Sequence, residues 1–484
     1  MIVVKCDKND FSYDIHSLVK AFYPAEEVKV FAEGEKSLSS DASSPEFFVS
    51  FAPDRMVFSI FEMGQKKREK ESLLTDPMDR VSCKNVLKRL LYEELSAYTG
   101  QKLPWGNLTG IRPTKIPYAM LEESATKEEA VSYMQDTYFC SEKKAGLAYD
   151  IAVRERELLT KLHYEKGYSL YIGIPFCPTT CLYCSFTSYS IASCKNKVDA
   201  YLEALEKEID YVAADFNDKT MDSLYIGGGT PTTLEAEQLD RLLSYVDAKL
   251  DLTHVLEYTV EAGRADSITK AKLEVLRKHG VTRISVNPQT MKEETLKLIG
   301  RRHTVAQVKE TFALARELGF DNINMDLILG LPNETKEDVA ETLRQVKEMD
   351  PDSLTVHSLA IKRASKMSQW IQEQGIKCLN NTDETMEIAA NTARRMQMHP
   401  YYLYRQKNMS GNFENVGYAR EGKYGIYNIL IMEEVQPIVA LGAGTVSKNV
   451  MKDGRIERCD TVKDVDLYIE KIDEMIERKR NLFS

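Results

Sequence analysis

The sequence predicts an α/β protein centred on an α/β barrel, and three observations carry that prediction. Apolar runs of strand length recur at 169–174, 223–226, 257–261, 283–286, 322–329 and 353–359. Amphipathic helical stretches at 201–212, 239–250, 270–279, 305–318 and 336–349 lie between them. Six strands alternating with helices imply parallel pairing through right-handed crossovers. A doubly wound sheet satisfies that alternation equally well. The third observation arbitrates: glycines and polar residues fall at the carboxyl ends of the strands, where a barrel keeps its active site.

Ahead of this region, short strand-like runs at 1–6, 46–51 and 55–61 suggest a small sheet, the last two separated by the turn signal Pro53-Asp54. In 79–98, Val86, Leu90, Leu91 and Leu95 follow helical spacing, and Gly100 stands where a C-cap is expected. A connector at 103–115 holds Trp105, one of only two tryptophans, and helical patterns resume at 116–123, 127–138 and 142–162. Residues 1–165 are therefore expected to form an α+β accessory domain and 166–375 the barrel. Residues 376–484 are expected to form a small α+β domain, with a helix at 384–398, a Tyr-rich strand, a Gly-rich stretch and a charged helix at 462–480.

With 64 basic against 74 acidic residues and a net charge of −10, no basic excess is available to displace counterions along a phosphate backbone, so no nucleic-acid partner is expected. No stretch reaches the roughly 18 apolar residues of a membrane span. The four-residue apolar run at the amino terminus is too short for a secretory signal. The expectation is a cytoplasmic protein, whose thiols are reduced by default.

Against that background Cys177, Cys181 and Cys184 stand out as C-x3-C-x2-C directly after the first barrel strand. Thiolates so close must share a soft cation. With no His or fourth Cys nearby, one coordination position stays open, the mark of a reactive metal site. The alternatives are a structural zinc completed from far away, or three unrelated buried cysteines. Gly227-Gly228-Gly229-Thr230-Pro231 follows the second strand and lets backbone groups approach a ligand; it is not a dinucleotide fingerprint, and a plain turn is the alternative. Glu261 ends the third strand and Asp326 lies within the fifth. Carboxylates so placed either face a cavity or form structural ion pairs.

C-x3-C-x2-C with Tyr183 before its third cysteine resembles the radical S-adenosylmethionine (SAM) enzymes. The resemblance implies a partial (β/α)6 radical SAM barrel in which Cys177, Cys181 and Cys184 hold a [4Fe-4S] cluster that cleaves SAM to a 5′-deoxyadenosyl radical. A fuller resemblance, from about Tyr171 to Lys448, is to the oxygen-independent coproporphyrinogen III oxidase family. It implies that Tyr171, Gly228, Glu261 and part of the loop at Gly227 contact a first SAM. It further implies that Gly229, Thr230, Gln289, Arg301, Asp326 and Ala360 contact a second, so one or two SAM molecules are expected. Leu108 to Lys115, Val260 to Arg264, Leu403 to Met409 and Leu441 to Gly444 resemble in particular the HemZ subgroup of anaerobic coproporphyrinogen dehydrogenases.

Two departures bear on substrate identity. Family members with established oxidase activity carry a further cysteine where this chain has Phe186. The haem-chaperone relatives carry H-N-x-x-Y-W, where this chain reads Tyr427-Asn428-Ile429-Leu430-Ile431-Met432. The resemblance implies anaerobic oxidative decarboxylation of two propionates of coproporphyrinogen III to vinyl groups. A haem-binding transfer protein and a radical tetrapyrrole methyltransferase with ring opening are the alternatives. An electron donor such as flavodoxin or ferredoxin is implied as partner. Arg112, Arg264, Arg302 and Arg405 are candidate anchors for the substrate's carboxylates, because a planar guanidinium binds carboxylate bidentately. The histidines show no metal-ligand spacing, His303 and His357 being read as structural, and the cysteines at 6, 83, 140, 194, 378 and 459 as small buried hydrophobes. The tyrosines at 401, 402 and 404 are read as strand core.

Overall fold

The structure, a computed structural model, describes residues 1–8, 10–24, 26–32, 35, 44–74, 76–362, 365–374, 379–406, 409 and 412–484. Cys378, Lys407, Asn408 and the expected domain boundary at 375/376 lie outside the described residues. The chain divides into two compact units, 1–153 with 403–414 and 154–402 with 415–484.

In the first unit, β1 (Ile2–Cys6), α1 (Ser12–Phe22), β2 (Val28–Ala32), β3 (Glu46–Phe51), β4 (Arg55–Glu62) and β5 (Gln65–Leu73) precede α2 (Arg80–Thr99), α3 (Lys115–Glu122) and α4 (Lys127–Tyr138). The strands form one sheet in the order β2-β1-β3-β4-β5. Ile15, Val19 and Phe22 of α1 and Leu87, Leu91 and Leu95 of α2 join Val4, Phe47 and Phe58 of the sheet in one buried core. Asp79 caps α2 by accepting from Val81 N and Ser82 N, and Gly100 ends it in the left-handed conformation.

The Trp105 connector is locked inside this unit. The buried Trp105 indole donates to Glu414 Oε2 (2.7 Å), and Lys144 Nζ donates to Glu414 Oε1 (2.5 Å). Gly106 has positive φ, and a Cβ there would overlap Tyr138 O. Arg405 lies over the Trp105 ring and donates to Leu108 O (2.5 Å) and Asn412 Oδ1 (2.8 Å). This corrects the reading of Arg405 as a substrate anchor: its guanidinium is buried and engaged with the chain's own backbone. Arg112 is half-buried.

The second unit contains the expected barrel. After α5 (Glu142–Leu159) come β6 (Gly167–Ile174), β7 (Phe176–Cys177), β8 (Tyr189–Ser190), α6 (Ile191–Cys194), α7 (Val198–Asp215), β9 (Thr220–Gly228), α8 (Ala236–Lys249), β10 (Glu257–Gly263), α9 (Lys270–Lys278) and β11 (Arg283–Val286). Then follow α10 (Glu293–Leu298), α11 (Val305–Glu317), β12 (Ile323–Leu329), α12 (Lys336–Met349), β13 (Ser353–Ser358), α13 (Lys366–Gln374) and α14 (Asp383–Arg395). β6 and β9 to β13 pair parallel in chain order. Their residues read as near-continuous apolar runs because helices cover one face and the barrel interior the other. Thr304 and Thr335 start α11 and α12 with capping boxes.

The chain ends with β14 (His399–Tyr404), β15 (Asn415–Ala419), α15 (Ile426–Glu433), β16 (Ile438–Leu441), β17 (Val446–Val450), β18 (Ile456–Asp460), α16 (Val465–Glu470) and α17 (Ile472–Phe483). β15 pairs antiparallel with β13 and β16 pairs parallel with β6, so these strands lengthen the barrel sheet at both edges. The six-stranded barrel is therefore open, a partial (β/α)6 barrel. Cys6, Cys83, Cys140 and Cys194 are buried, whereas Cys459, expected buried, is only half so because it sits on the edge strand β18. Tyr401 and Tyr402 are buried in β14.

Candidate active site at the strand ends

β6 carries Tyr171, and β7, directly after it, carries Cys177. β7 pairs parallel with β8, Phe176 opposite Tyr189 and Cys177 opposite Ser190, so the cysteine loop between them crosses over and returns to run alongside its own start. Leu182 N donates to Ile299 O (3.0 Å), and Leu182 O accepts from Met367 N of α13 (2.9 Å). Cys177 and Cys181 are buried and Cys184 half-buried.

The three-glycine loop runs beside these thiols. Gly229 N donates to Ile174 O (2.7 Å) and Thr230 N to Phe176 O (2.8 Å). A Cβ on Gly229 would stand 2.6 Å from Phe176 O and 3.0 Å from Cys177 Sγ, so only glycine fits. Thr230 Oγ1 lies 3.5 Å from Cys177 Sγ. Burial pushes the Cys177 thiol up to about 11, and its neighbours Cys184 and Cys181 push the same way. Cys184 is raised as well, chiefly by burial. Three thiols gathered on one short loop, two of them buried and one half-buried, suit a shared cation, which fits an iron–sulfur group. Among the described residues no three His, Cys, Asp or Glu side chains converge on a single-ion position. Thiolates that ligate separate corner irons of a cluster need not converge so closely.

Deeper in the barrel, Tyr171, Tyr225 and Tyr427 form a stack with ring centroids 6.0, 5.8 and 4.5 Å apart. Tyr171 and Tyr225 are cross-strand partners on β6 and β9. Tyr427 joins them because Glu257, on β10, accepts from its backbone N (3.3 Å) and from that of Ile426, anchoring the start of α15. Tyr225 Oη donates to Glu261 Oε1 (2.5 Å). Burial raises the Glu261 carboxyl to about 7 against the lowering effect of that hydrogen bond. A Cβ on Gly227 would meet the Tyr225 ring and the Glu261 carboxyl, so the glycine loop, Glu261 and the stack share one wall.

A second group gathers on β11 to β13. Tyr183 Oη donates to Gln289 Oε1 (3.3 Å), and Arg301 reaches Tyr183 Oη (3.2 Å) and Asn287 O (2.5 Å). Gln289 holds positive φ, an uncommon conformation for a side-chain-bearing residue, and its backbone N donates to Asp326 O (2.9 Å). Asn324 Nδ2 donates to Asp326 Oδ1 (2.7 Å) and His357 stands 3.9 Å away. Burial pushes Asp326 up, but His357 and Asn324 outweigh it and hold the carboxyl below its usual range. Ala360 is half-buried just past β13.

The structure thus brings together the cysteines, the glycine loop with Thr230, and Glu261, Gln289, Arg301, Asp326 and Ala360 along successive strand ends. Arg302 is exposed next to Arg301. Arg264, expected as a substrate anchor, is instead 3% exposed, with its fork bound to Asp266 and Thr179. No donor pair is left for a carboxylate. Sequence reasoning missed Tyr225, Tyr427, Asn287 and the buried Arg283. The alternation of β9 marks Tyr225 as sharing a face with Gly227; Tyr427 carries no comparable signal, since its place depends on a distant carboxylate.

Comparison with known proteins gives the family. Residues 171–346 match the radical SAM superfamily. The chain is 41% identical over 401 residues to the oxygen-independent coproporphyrinogen-III oxidase-like protein HemZ of Bacillus subtilis strain 168, covering 82% of this chain and 80% of that one. It is 34% identical over 243 residues to the haem chaperone HemW of the same organism, covering 50% of this chain and 63% of that one. The solved coproporphyrinogen III oxidase HemN of Escherichia coli, a radical SAM enzyme, superposes with a TM-score of 0.51 at 25% identity, over 66% of this chain and 72% of that one. No helix among the described residues is long and apolar enough to cross a membrane. The chain therefore belongs to the radical SAM superfamily, in the family of oxygen-independent coproporphyrinogen-III oxidase-like proteins that includes HemZ.

Proposed function

We propose that the protein is a cytoplasmic radical SAM enzyme of haem biosynthesis that oxidatively decarboxylates two propionates of coproporphyrinogen III to vinyl groups, giving protoporphyrinogen IX. Cys177, Cys181 and Cys184 would hold a [4Fe-4S] cluster, charged by an external one-electron donor of the flavodoxin or ferredoxin kind. When bound, that cluster supplies the electron that cleaves SAM. Tyr171, Gly227, Gly228 and Glu261 would seat a first SAM, and Gly229, Thr230, Gln289, Arg301, Asp326 and Ala360 a second. Glu261 accepts hydrogen bonds from its ligand, and Arg301 offers a cation held in place by Tyr183 and Asn287. The closed wall of Tyr171, Tyr225 and Tyr427 excludes water from one side of this space. Arg112 and Arg302 are the candidate anchors for substrate propionates. Residues 1–165, 166–375 and 376–484 would serve as accessory, barrel and substrate-covering segments.

The observation that carries conversion over carriage is Tyr427. It stands where the chaperone pattern begins with its haem-ligating histidine, and it is 5% exposed, stacked 4.5 Å from Tyr225. A phenol packed in that way is not available to haem iron.

The test is anaerobic incubation of cluster-reconstituted protein with SAM, dithionite and coproporphyrinogen III, followed by mass spectrometry. Two successive losses of CO2 plus two hydrogens, with 5′-deoxyadenosine formed, are expected. Cys181→Ala should abolish both. Stoichiometric haem binding without any turnover would overturn the reading in favour of a chaperone.

A further inference from the structure

Arg264 follows directly on β10, and its side chain turns toward the cysteine loop. The guanidinium makes a bidentate pair with Asp266, Nε to Oδ1 at 2.9 Å and the second amino group to Oδ2 at 2.6 Å. Its other amino group donates to Thr179 O (2.9 Å) and Thr179 Oγ1 (2.8 Å), and lies 3.8 Å from Cys181 Sγ. Thr179 Oγ1 in turn donates to Gly300 O (2.9 Å). Although burial pushes the Asp266 carboxyl up, His303 and Arg264 outweigh it and hold it well below its usual range, so the pair is ionic. A buried cation is engaged on a turn of three residues between two cysteines, and the amino group that binds this turn also faces the Cys181 sulfur.

Backbone acceptors alone do not require this. A neutral donor would satisfy Thr179 O, and a buried ion pair is weak evidence for stability, because desolvation offsets most of the Coulombic gain. The arrangement has a use if the nearby sulfur is anionic and its charge changes. Positive charge and hydrogen bonds beside a ligating sulfur favour the more reduced, more negative state of an iron–sulfur group.

We propose that Arg264 is a positioning residue of the iron–sulfur site: braced by Asp266, it fixes the Thr179–Cys181 turn and places a cation on the Cys181 thiolate, raising the reduction potential there. This rests on the reading that Cys177, Cys181 and Cys184 hold a [4Fe-4S] cluster. Asp266 acts in the opposite sense, because its negative charge damps the field of Arg264. The two residues therefore make opposite predictions, which a purely structural ion pair does not.

The experiment is an EPR-monitored redox titration with dithionite as the one-electron donor, on reconstituted wild type, Arg264→Gln, Arg264→Lys and Asp266→Asn. At a fixed potential, Arg264→Gln should lower the ratio of reduced to oxidised cluster about tenfold, ~59 mV for a one-electron couple. Asp266→Asn should raise it, and Arg264→Lys, which keeps the charge and loses the fork, should fall between wild type and Arg264→Gln. If Arg264→Gln yields no soluble cluster-bound protein, the Lys and Asn variants carry the test alone. Unchanged potentials, or shifts of one sign in both the Arg264 and Asp266 variants, overturn the proposal. So does an unchanged potential with weakened coproporphyrin binding in Arg264→Lys, which would restore the substrate-anchor role. Wild-type protein that takes up neither iron nor sulfide would instead overturn the cluster reading itself.

Discussion

Glu261 shows how a single side chain converts burial into pH dependence. Its carboxyl is lifted by burial from an ordinary 4.5 to about 7. The folded state then holds a proton that the unfolded chain has released, so between pH 4.5 and 7 this group's contribution to stability falls as pH rises. Ligand binding runs the other way. A ligand whose donors point at Glu261 needs the carboxylate, so SAM should bind wild type about tenfold more weakly at pH 6 than at pH 8. Calorimetric titration at the two values checks this, and Glu261→Gln should flatten the difference. Tyr225→Phe removes the 2.5 Å hydrogen bond that now lowers the Glu261 value. The transition should move to higher pH in that variant; an unmoved profile would mean that Tyr225 does not tune Glu261.

At the scale of elements, the glycine loop between β9 and α8 is held by contact. Gly229→Ala places a methyl group against Phe176 O and Cys177 Sγ. Overpacking of this kind costs about 1–3 kcal/mol. The urea midpoint should fall accordingly, and reconstituted iron content should drop by more than half, since β7 and the loop must separate. Among such elements, legibility followed burial. The six barrel strands are readable because both faces are covered and the residues are apolar throughout, so their limits agree with the sequence to within a few residues. β5, with the sequence Gln65-Lys66-Lys67-Arg68-Glu69-Lys70-Glu71-Ser72-Leu73, was not readable. It is an edge strand exposed along most of its length, fixed by the ladder to β4 rather than by any apolar alternation. The site shows the same division. The cysteines and glycines are dictated by local chemistry and could be read. The roles of Arg264 and Arg405 could not, because an arginine's function depends on which acceptors the fold brings to it.

For the whole molecule, the least legible feature is the reach of the carboxy-terminal segment. Nothing in 438–441 announces that this run pairs with 169–172, because register between strands so distant in sequence is set by tertiary packing. The same segment supplies a buried charge to the barrel's outer layer. Lys479 of α17 and Glu208 of α7 are both fully buried and form an ion pair. Glu208 Oε2 also accepts from Tyr468 Oη (2.6 Å) and from Gly442 N (2.7 Å), and Tyr201 Oη donates to Gly173 O (2.6 Å) beside them. One carboxylate therefore ties the last helices to the glycine turn after β16, while Tyr201 of the same helix α7 holds the end of β6, the strand that leads to Cys177. Lys479→Met leaves Glu208 buried without its cation, which should cost about 3–5 kcal/mol. Adding Glu208→Gln removes the uncompensated charge while keeping an acceptor for Tyr468 and Gly442, and should recover much of that loss. Urea unfolding of the single and double variants measures both. A single variant as stable as wild type would show that the pair does not hold the carboxy-terminal segment to the barrel.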